Sequence, residues 1–193
     1  MRSKNIFKRI FRRFFGVALS VVVLLLAADH GLKELGQYLY PKDYSRFVQK
    51  YSTEYGVDTD FCYAVIKCES NFKPEAISSA GARGLMQMTP DTFAWVTNKL
   101  YGYEVDEALL CDPETNIKCG IWYLAYLQGE FSTQREVIAA YNAGPNHVKE
   151  WLSDSRYSQD GETLVALPFK ETENHIKKVQ NAQTIYKKLY EVR

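Results

Sequence analysis

Residues 43–193 carry a start signal at nearly every point where an apolar stripe of helical period begins, and that regularity leaves little room for any architecture but a helical one. Asp58 precedes a stripe through Phe61, Ala64, Val65 and Cys68. Thr89-Pro90 and Asp112-Pro113 each join a capping side chain to a proline, whose fixed φ and missing N–H suit the first turn of a helix. Thr133 and Glu136 have the spacing of a capping box ahead of Val137, Ile138 and Tyr141. The stops are as well marked: Gly56 follows Tyr44, Phe47, Val48, Tyr51 and Tyr55; Gly129 follows Ile117, Ile121, Leu124 and Leu127; Gly144-Pro145 follows Tyr141. A short helix with Val148, Trp151 and Leu152, and a long one over about Glu171–Tyr190, complete the set. The segment SNFKPEAISSAGARGLMQMTP has no regular period and is predicted to be an ordered loop, and residues 153–161 a polar one. No stretch alternates with period two. The expectation is one all-α domain of roughly seven short helices with uneven connections, unlike a regular up-down bundle.

The N-terminus is organised differently. Residues 1–13 hold six basic residues (Arg2, Lys4, Lys8, Arg9, Arg12, Arg13) and no acidic one, and Phe14–Ala28 follows without a charge. Fifteen helical residues span roughly 22 Å, short of the roughly 30 Å hydrocarbon core of a bilayer. A cleaved signal peptide and an uncleaved anchor both fit that length. The flanks favour the anchor: Leu26-Ala27-Ala28 is an incomplete cleavage site, and Ile6, Phe7, Ile10 and Phe11 can lengthen the span while their cationic neighbours snorkel. The expected organisation is a basic cytoplasmic segment (1–13), a transmembrane signal anchor (14–28), a linker (29–42) and an extracytoplasmic domain (43–193), since the basic flank stays inside. Outside the basic block, 18 basic residues face 23 acidic ones, a net of −5. A mildly acidic body argues against nucleic-acid binding, which needs cations to neutralise phosphates.

Metal and nucleophile chemistry find little support. His30, His147 and His175 are scattered, and there is neither HExxH nor CxxC nor GxSxG, so no metal or cofactor is expected. An outward location permits disulfides. Cys62 and Cys68 lie about 9 Å apart along one predicted helix, beyond the roughly 7 Å limit for a bridge. Cys111 and Cys119 are held apart by the helix starting near Pro113, so any two bridges join the first pair to the second. Four buried thiols are the equally open alternative. Glu69 is the sharper signal. A carboxyl at a helix end, beside Ile66 and Phe72 and facing a Gly-rich loop, can be kept protonated by desolvation and serve as a general acid.

Four blocks give that carboxyl its company: ESNFKPEAISSAGARGLMQMTP (69–90), DPETNIKCGIWYL (112–124), AAYNAGPNHVKEWL (139–152) and PFKETENHIKKV (168–179). In this order they resemble the lytic transglycosylases of the soluble, SLT-domain type, over residues 43–192. The resemblance implies a goose-type lysozyme-like all-α fold and cleavage of the MurNAc-GlcNAc bond of bacterial peptidoglycan, with glycan strands as the partner. It makes Glu69 the catalytic acid/base and puts Ser70, Met86, Gln87, Tyr141 and Asn142 at the substrate. The family's last block usually reads ETxxY, and His175 stands here where that tyrosine is expected.

Ordinary glycosidases use two carboxylates, whereas the blocks supply Glu69 alone, Glu171 and Asp112 reading as helix starters. One suffices if the C6 hydroxyl of MurNAc is the nucleophile, which yields a 1,6-anhydro ring. A hydrolytic muramidase and a non-catalytic peptidoglycan-binding scaffold are the alternatives. No protein partner is legible.

Overall fold

The structure, a computed structural model, describes residues 2–191, with side chains from Ser20 onward. It divides into two compact units, Met1–Pro41 and Lys42–Arg193. The first is one helix, α1 (Arg2–Leu39). Residues 29–39, read as a spacer, thus continue the helix, because Leu32, Lys33, Glu34 and Leu35 are good helix formers and Gly31 and Gly36 each cost only about 1 kcal/mol. Pro41 lies just beyond its end. Val21–Leu26 are all between 49% and 68% exposed, so apolar side chains face outward all round this stretch. The side chains of the basic segment 1–13 and of residues 14–19 lie outside the described residues. Among those described, no helix is long and apolar enough to cross a membrane.

The second unit contains α2 (Ser45–Tyr55), α3 (Thr59–Glu69), α4 (Pro90–Tyr101), a 3-10 helix (Glu107–Cys111), α5 (Pro113–Glu130), α6 (Gln134–Ala143), α7 (Pro145–Ser153) and α8 (Lys170–Tyr190). No regular strand occurs among the described residues, where only two isolated bridges, Ile77 with Arg83 and Arg83 with Met88, tie the 70–89 loop to itself. The start signals act as their chemistry dictates. Asp58, Thr89 and Asp112 accept hydrogen bonds from the N–H groups of Phe61, Thr92 and Thr115, and Pro90 and Pro113 open their helices. The 3-10 helix escapes the sequence reading because a single turn has too few residues to show a period.

α3 occupies the centre. The expected one-sided stripe is in fact continuous burial, Phe61 through Ile66, as befits a helix packed on all sides. α8 packs along it with Ile176, Val179 and Tyr186, while α2 packs against α5, and α6 touches α5, α7 and α8. Each such buried side chain is worth about 1.5–3 kcal/mol, so α3 is a fixed post. Asp58 ties its start to α8 as well: its carboxylate accepts from Phe61 N at 2.8 Å and Gln183 Nε2 at 3.2 Å, with Lys187 Nζ at 3.5 Å. Burial opposes its ionisation, but these donors outweigh it and hold the carboxyl below its ordinary pKa. Its stabilisation is therefore full above the unfolded carboxylate value of about 3.9 and is lost as pH falls through the lower folded value.

Glu136 departs from the capping-box expectation. It is fully buried, meets the Thr133 hydroxyl with one oxygen and accepts from Leu164 N at 2.8 Å with the other. Arg135 holds the Leu164 carbonyl at 3.0 Å and Glu173 at 2.5 Å. α6 thereby fixes both the 154–169 connection and the first turn of α8. All four cysteines are free thiols. Burial raises the Cys62 pKa and pushes Cys119 to about 12, the behaviour of inert core thiols.

Candidate active site

Glu69 is the last helical residue of α3, and the chain beyond it explains why. Ser70 caps the helix with its N–H on the Ile66 carbonyl, and Asn71 and Phe72 then adopt φ of 51° and 63°, which no helix tolerates. Phe72 is buried beside Tyr63, so the reversal is held by packing. The Glu69 side chain retains 16% exposure, enough for a ligand to reach and too little for full hydration. His175 Nε2, from the second turn of α8, lies 3.3 Å from Glu69 Oε1 and is 14% exposed.

The loop after Glu69 is built around one amide. Asn116, buried on α5, accepts the Met86 N–H on Oδ1 at 2.7 Å and donates through Nδ2 to the carbonyls of Leu110 at 2.7 Å and Arg83 at 3.2 Å. Gly84 is required directly above it. Its φ is +80°, and a Cβ there would lie 2.3 Å from both Asn116 Nδ2 and the Leu110 carbonyl. Gln87, at φ 48°, closes the turn by donating to the carbonyls of Gly84 at 2.9 Å and Ala76 at 3.0 Å. Asn116 was missed by the sequence reading; its only signal was a polar residue at an apolar-looking position of the DPETN block.

α6 ends at this loop. The Tyr141 hydroxyl donates to the Met86 carbonyl at 2.7 Å, and burial first, then the nearby Glu69 charge, raises its pKa well above that of a free phenol. It is a neutral donor at any physiological pH. Asn142 is exposed and stands where three openings meet. One of about 400 Å³ is walled by His175, Asn174, Glu171, Lys170 and Lys178. Another of about 240 Å³ is walled by Gln87, Thr92, Tyr123 and Tyr141. The third, of about 450 Å³, runs toward Phe169 and His147.

Of the residues expected at the site, Gln87, Tyr141, Asn142 and His175 line these openings, and Glu69 meets His175 behind one wall. Ser70 and Met86 are turned inward instead. Ser70 is 6% exposed and donates to the Leu85 and Ile66 carbonyls at 2.7 and 3.2 Å; Met86 is fully buried, its backbone shared between Asn116 and Tyr141. The phenol of Tyr141, expected at the substrate, lines an opening but spends its proton on the Met86 carbonyl. Among the described residues no three His, Cys, Asp or Glu side chains gather as a metal-binding set.

The transglycosylase SLT domain family model matches residues 46–164. Among similar proteins, the soluble lytic murein transglycosylase of Escherichia coli K12 is 36% identical over 153 residues, covering 77% of this chain and 23% of that protein. Membrane-bound lytic murein transglycosylase C of Serratia proteamaculans is 31% identical over 189 residues, covering 86% of this chain and 51% of that protein. A solved structure of an inactive Glu-to-Gln mutant of the lytic transglycosylase Slt from Pseudomonas aeruginosa superposes with a TM-score of 0.67 at 29% identity, covering 77% of this chain and 24% of that one. The chain thus spans about a quarter of the soluble relatives and half of the membrane-bound one. A model that runs from α2 through α7, across the loop that carries Gln87 and the helix end that carries Glu69, leaves one placement: the chain belongs to the transglycosylase SLT domain family.

Proposed function

We propose that residues 43–193 cleave the MurNAc-GlcNAc β-1,4 bond of peptidoglycan, with Glu69 as the single acid/base and 1,6-anhydro-MurNAc as the new end. The observation that carries this reading is the carboxyl of Glu69 at the rigid end of α3, 16% exposed and with one oxygen 3.3 Å from the Nε2 of His175, an imidazole that lines a cleft. Glu69 gives its proton to the glycosidic oxygen as the C1–O bond of MurNAc breaks. The C6 hydroxyl of the same sugar then attacks C1, and the Glu69 carboxylate takes the hydroxyl proton, so the acid is restored and no water is consumed. Asn142 and the amide oxygen of Gln87, whose N–H groups are held by the Ala76 and Gly84 carbonyls, are the polar groups that hold the sugar, while Ser70, Met86 and Tyr141 keep the loop and the helix end in register. Lys170 and Lys178 on the cleft wall suit the carboxylates of peptide-bearing glycan.

Mass spectrometry of muropeptides released from purified peptidoglycan tests this reading. Ends lighter by one water than reducing MurNAc are the expected product. Reducing ends would instead mean a hydrolytic muramidase, and no release by folded protein would mean a non-catalytic scaffold.

His175 acts on Glu69 as a hydrogen-bond donor. Bonds to charged groups are worth about 1.5–3 kcal/mol, so His175→Ala should slow muropeptide release by about 10- to 100-fold. His175→Gln, which keeps an N–H in reach, should recover most of that loss. Equal rates for the two variants would remove the donor role.

The apolar run of α1 is read as a single-pass membrane anchor with the body on the extracytoplasmic face. Six consecutive aliphatic side chains between 49% and 68% exposed form an apolar surface of the kind that marks a membrane contact, and relatives named membrane-bound lend support. Alkaline carbonate extraction of membranes should leave the full chain in the pellet; its appearance in the supernatant would refute the anchor.

A further inference from the structure

We propose that the Trp95–Tyr126 face is an outer saccharide subsite, one that takes N-acetylhexosamine units of the same glycan strand remote from the bond being cut. The inference rests on the glycan-cleaving function proposed above and adds to it a place, a ligand class and a residue.

Trp95 of α4 meets α5 through three rings. It stands edge-on to Tyr126 with centroids 4.9 Å apart, 5.9 Å from Trp122 and 6.1 Å from Tyr123. Trp122 and Tyr126, four residues apart on one helix face, stack within 11° of parallel at 5.9 Å, and Tyr123 stacks on Tyr126 within 8°. This is a rigid aromatic floor, yet Trp95 remains 37% exposed. A tryptophan used only as packing would turn its large ring inward.

The space above the floor is a cavity of about 360 Å³ whose remaining walls include Asp91, Thr92 and Asn146. An aromatic ring flanked by a carboxylate, a hydroxyl and an amide matches a pyranose, which offers a C–H face to the ring and hydroxyls at its rim. The cavity lining holds no cation and one carboxylate, and Lys99 Nζ stands 5.8 Å from the Trp95 ring centroid; a single cation set against a carboxylate disfavours a phosphate backbone.

Continuity names the occupant. Thr92 and Tyr123 line this cavity and also the one that holds Gln87, Tyr141 and Asn142. A strand lying over Asn142 and continuing past Tyr123 arrives at Trp95. Contacts away from the scissile bond add binding energy that only longer strands can use.

Calorimetry with β-1,4-linked N-acetylglucosamine oligomers of increasing length tests the proposal, using the full chain in detergent with Glu69→Gln to prevent turnover. Affinity should rise with length, and Trp95→Ala should erase the rise, weakening the longest oligomers about tenfold while sparing the shortest. Trp95→Phe should fall between. If Trp95→Ala lowers the melting temperature, Asp91→Asn and Asn146→Ala on the opposite rim serve as the second test, with the same length-dependent loss expected. An effect equal at all lengths, or none, overturns the subsite while leaving the glycan reading intact. Failure of every oligomer to bind the parent overturns the glycan reading and the subsite with it.

Discussion

Glu69→Gln should release no detectable muropeptide while folding as the parent does. The stability half follows from the surroundings: glutamine has the same shape, its amide oxygen can still accept from His175, and α3 is held by the buried run Phe61–Ile66 and by Asp58 at its other end. A substitution of that kind should stay within about 0.5 kcal/mol of the parent. The activity half follows from the chemistry. A general acid contributes about 10²- to 10⁴-fold, and Glu69 is asked to serve twice, as the acid at the leaving oxygen and as the base at the C6 hydroxyl. The loss should therefore sit at the upper end of that range. Unimpaired cleavage would transfer the role to another carboxylate of the cleft, with Glu171, on the wall of the His175 cavity, the first to be tested.

What was legible in the chain was local. Asp58, Thr89 and Asp112 each act on an N–H three residues away, and Pro90 and Pro113 open their helices directly, so these helices could be started correctly from neighbouring residues alone. Glu69 could be set at a helix end for the same reason. The orientation of the loop that faces it could not. GLMQ names four residues and says nothing of which point to the cleft; that is decided by Asn116, 30 residues from Met86 and 33 from Arg83, and by Tyr141, 55 residues from Met86. Hence Met86 and Ser70 turn inward and Gln87 lines the opening. The all-round burial of α3 was hidden likewise, because the stripe through Phe61, Ala64 and Val65 marks one face, and the α8 residues packed along the helix come from the far end of the chain. Trp95 showed nothing in sequence, since a tryptophan on an amphipathic helix is ordinary until its neighbours are known.

Asn116→Ala should be the most damaging change outside Glu69, and for a different reason. One side chain satisfies the Met86 N–H and the Leu110 carbonyl, both buried, and the part-buried Arg83 carbonyl. Each buried group left unmatched costs about 1–3 kcal/mol, and partial relaxation of the loop brings the expected total to about 3–5 kcal/mol. That is a large share of the roughly 5–15 kcal/mol that holds a domain together, and it should lower the melting temperature by on the order of 10 °C. Asn116→Asp does not rescue, since its second oxygen faces two carbonyls where a donor is needed. Activity should fall even at temperatures where the variant is folded. The Met86 carbonyl is the partner of the Tyr141 hydroxyl, and Gln87 follows it directly, so a loop that shifts by an ångström displaces the polar groups lining the cleft beside Glu69. Denaturant unfolding together with muropeptide release at low temperature separates the two effects. A variant within about 1 kcal/mol of the parent would show that the loop holds its shape without the amide, and would leave the packing of Leu85 and Met86 as what positions it.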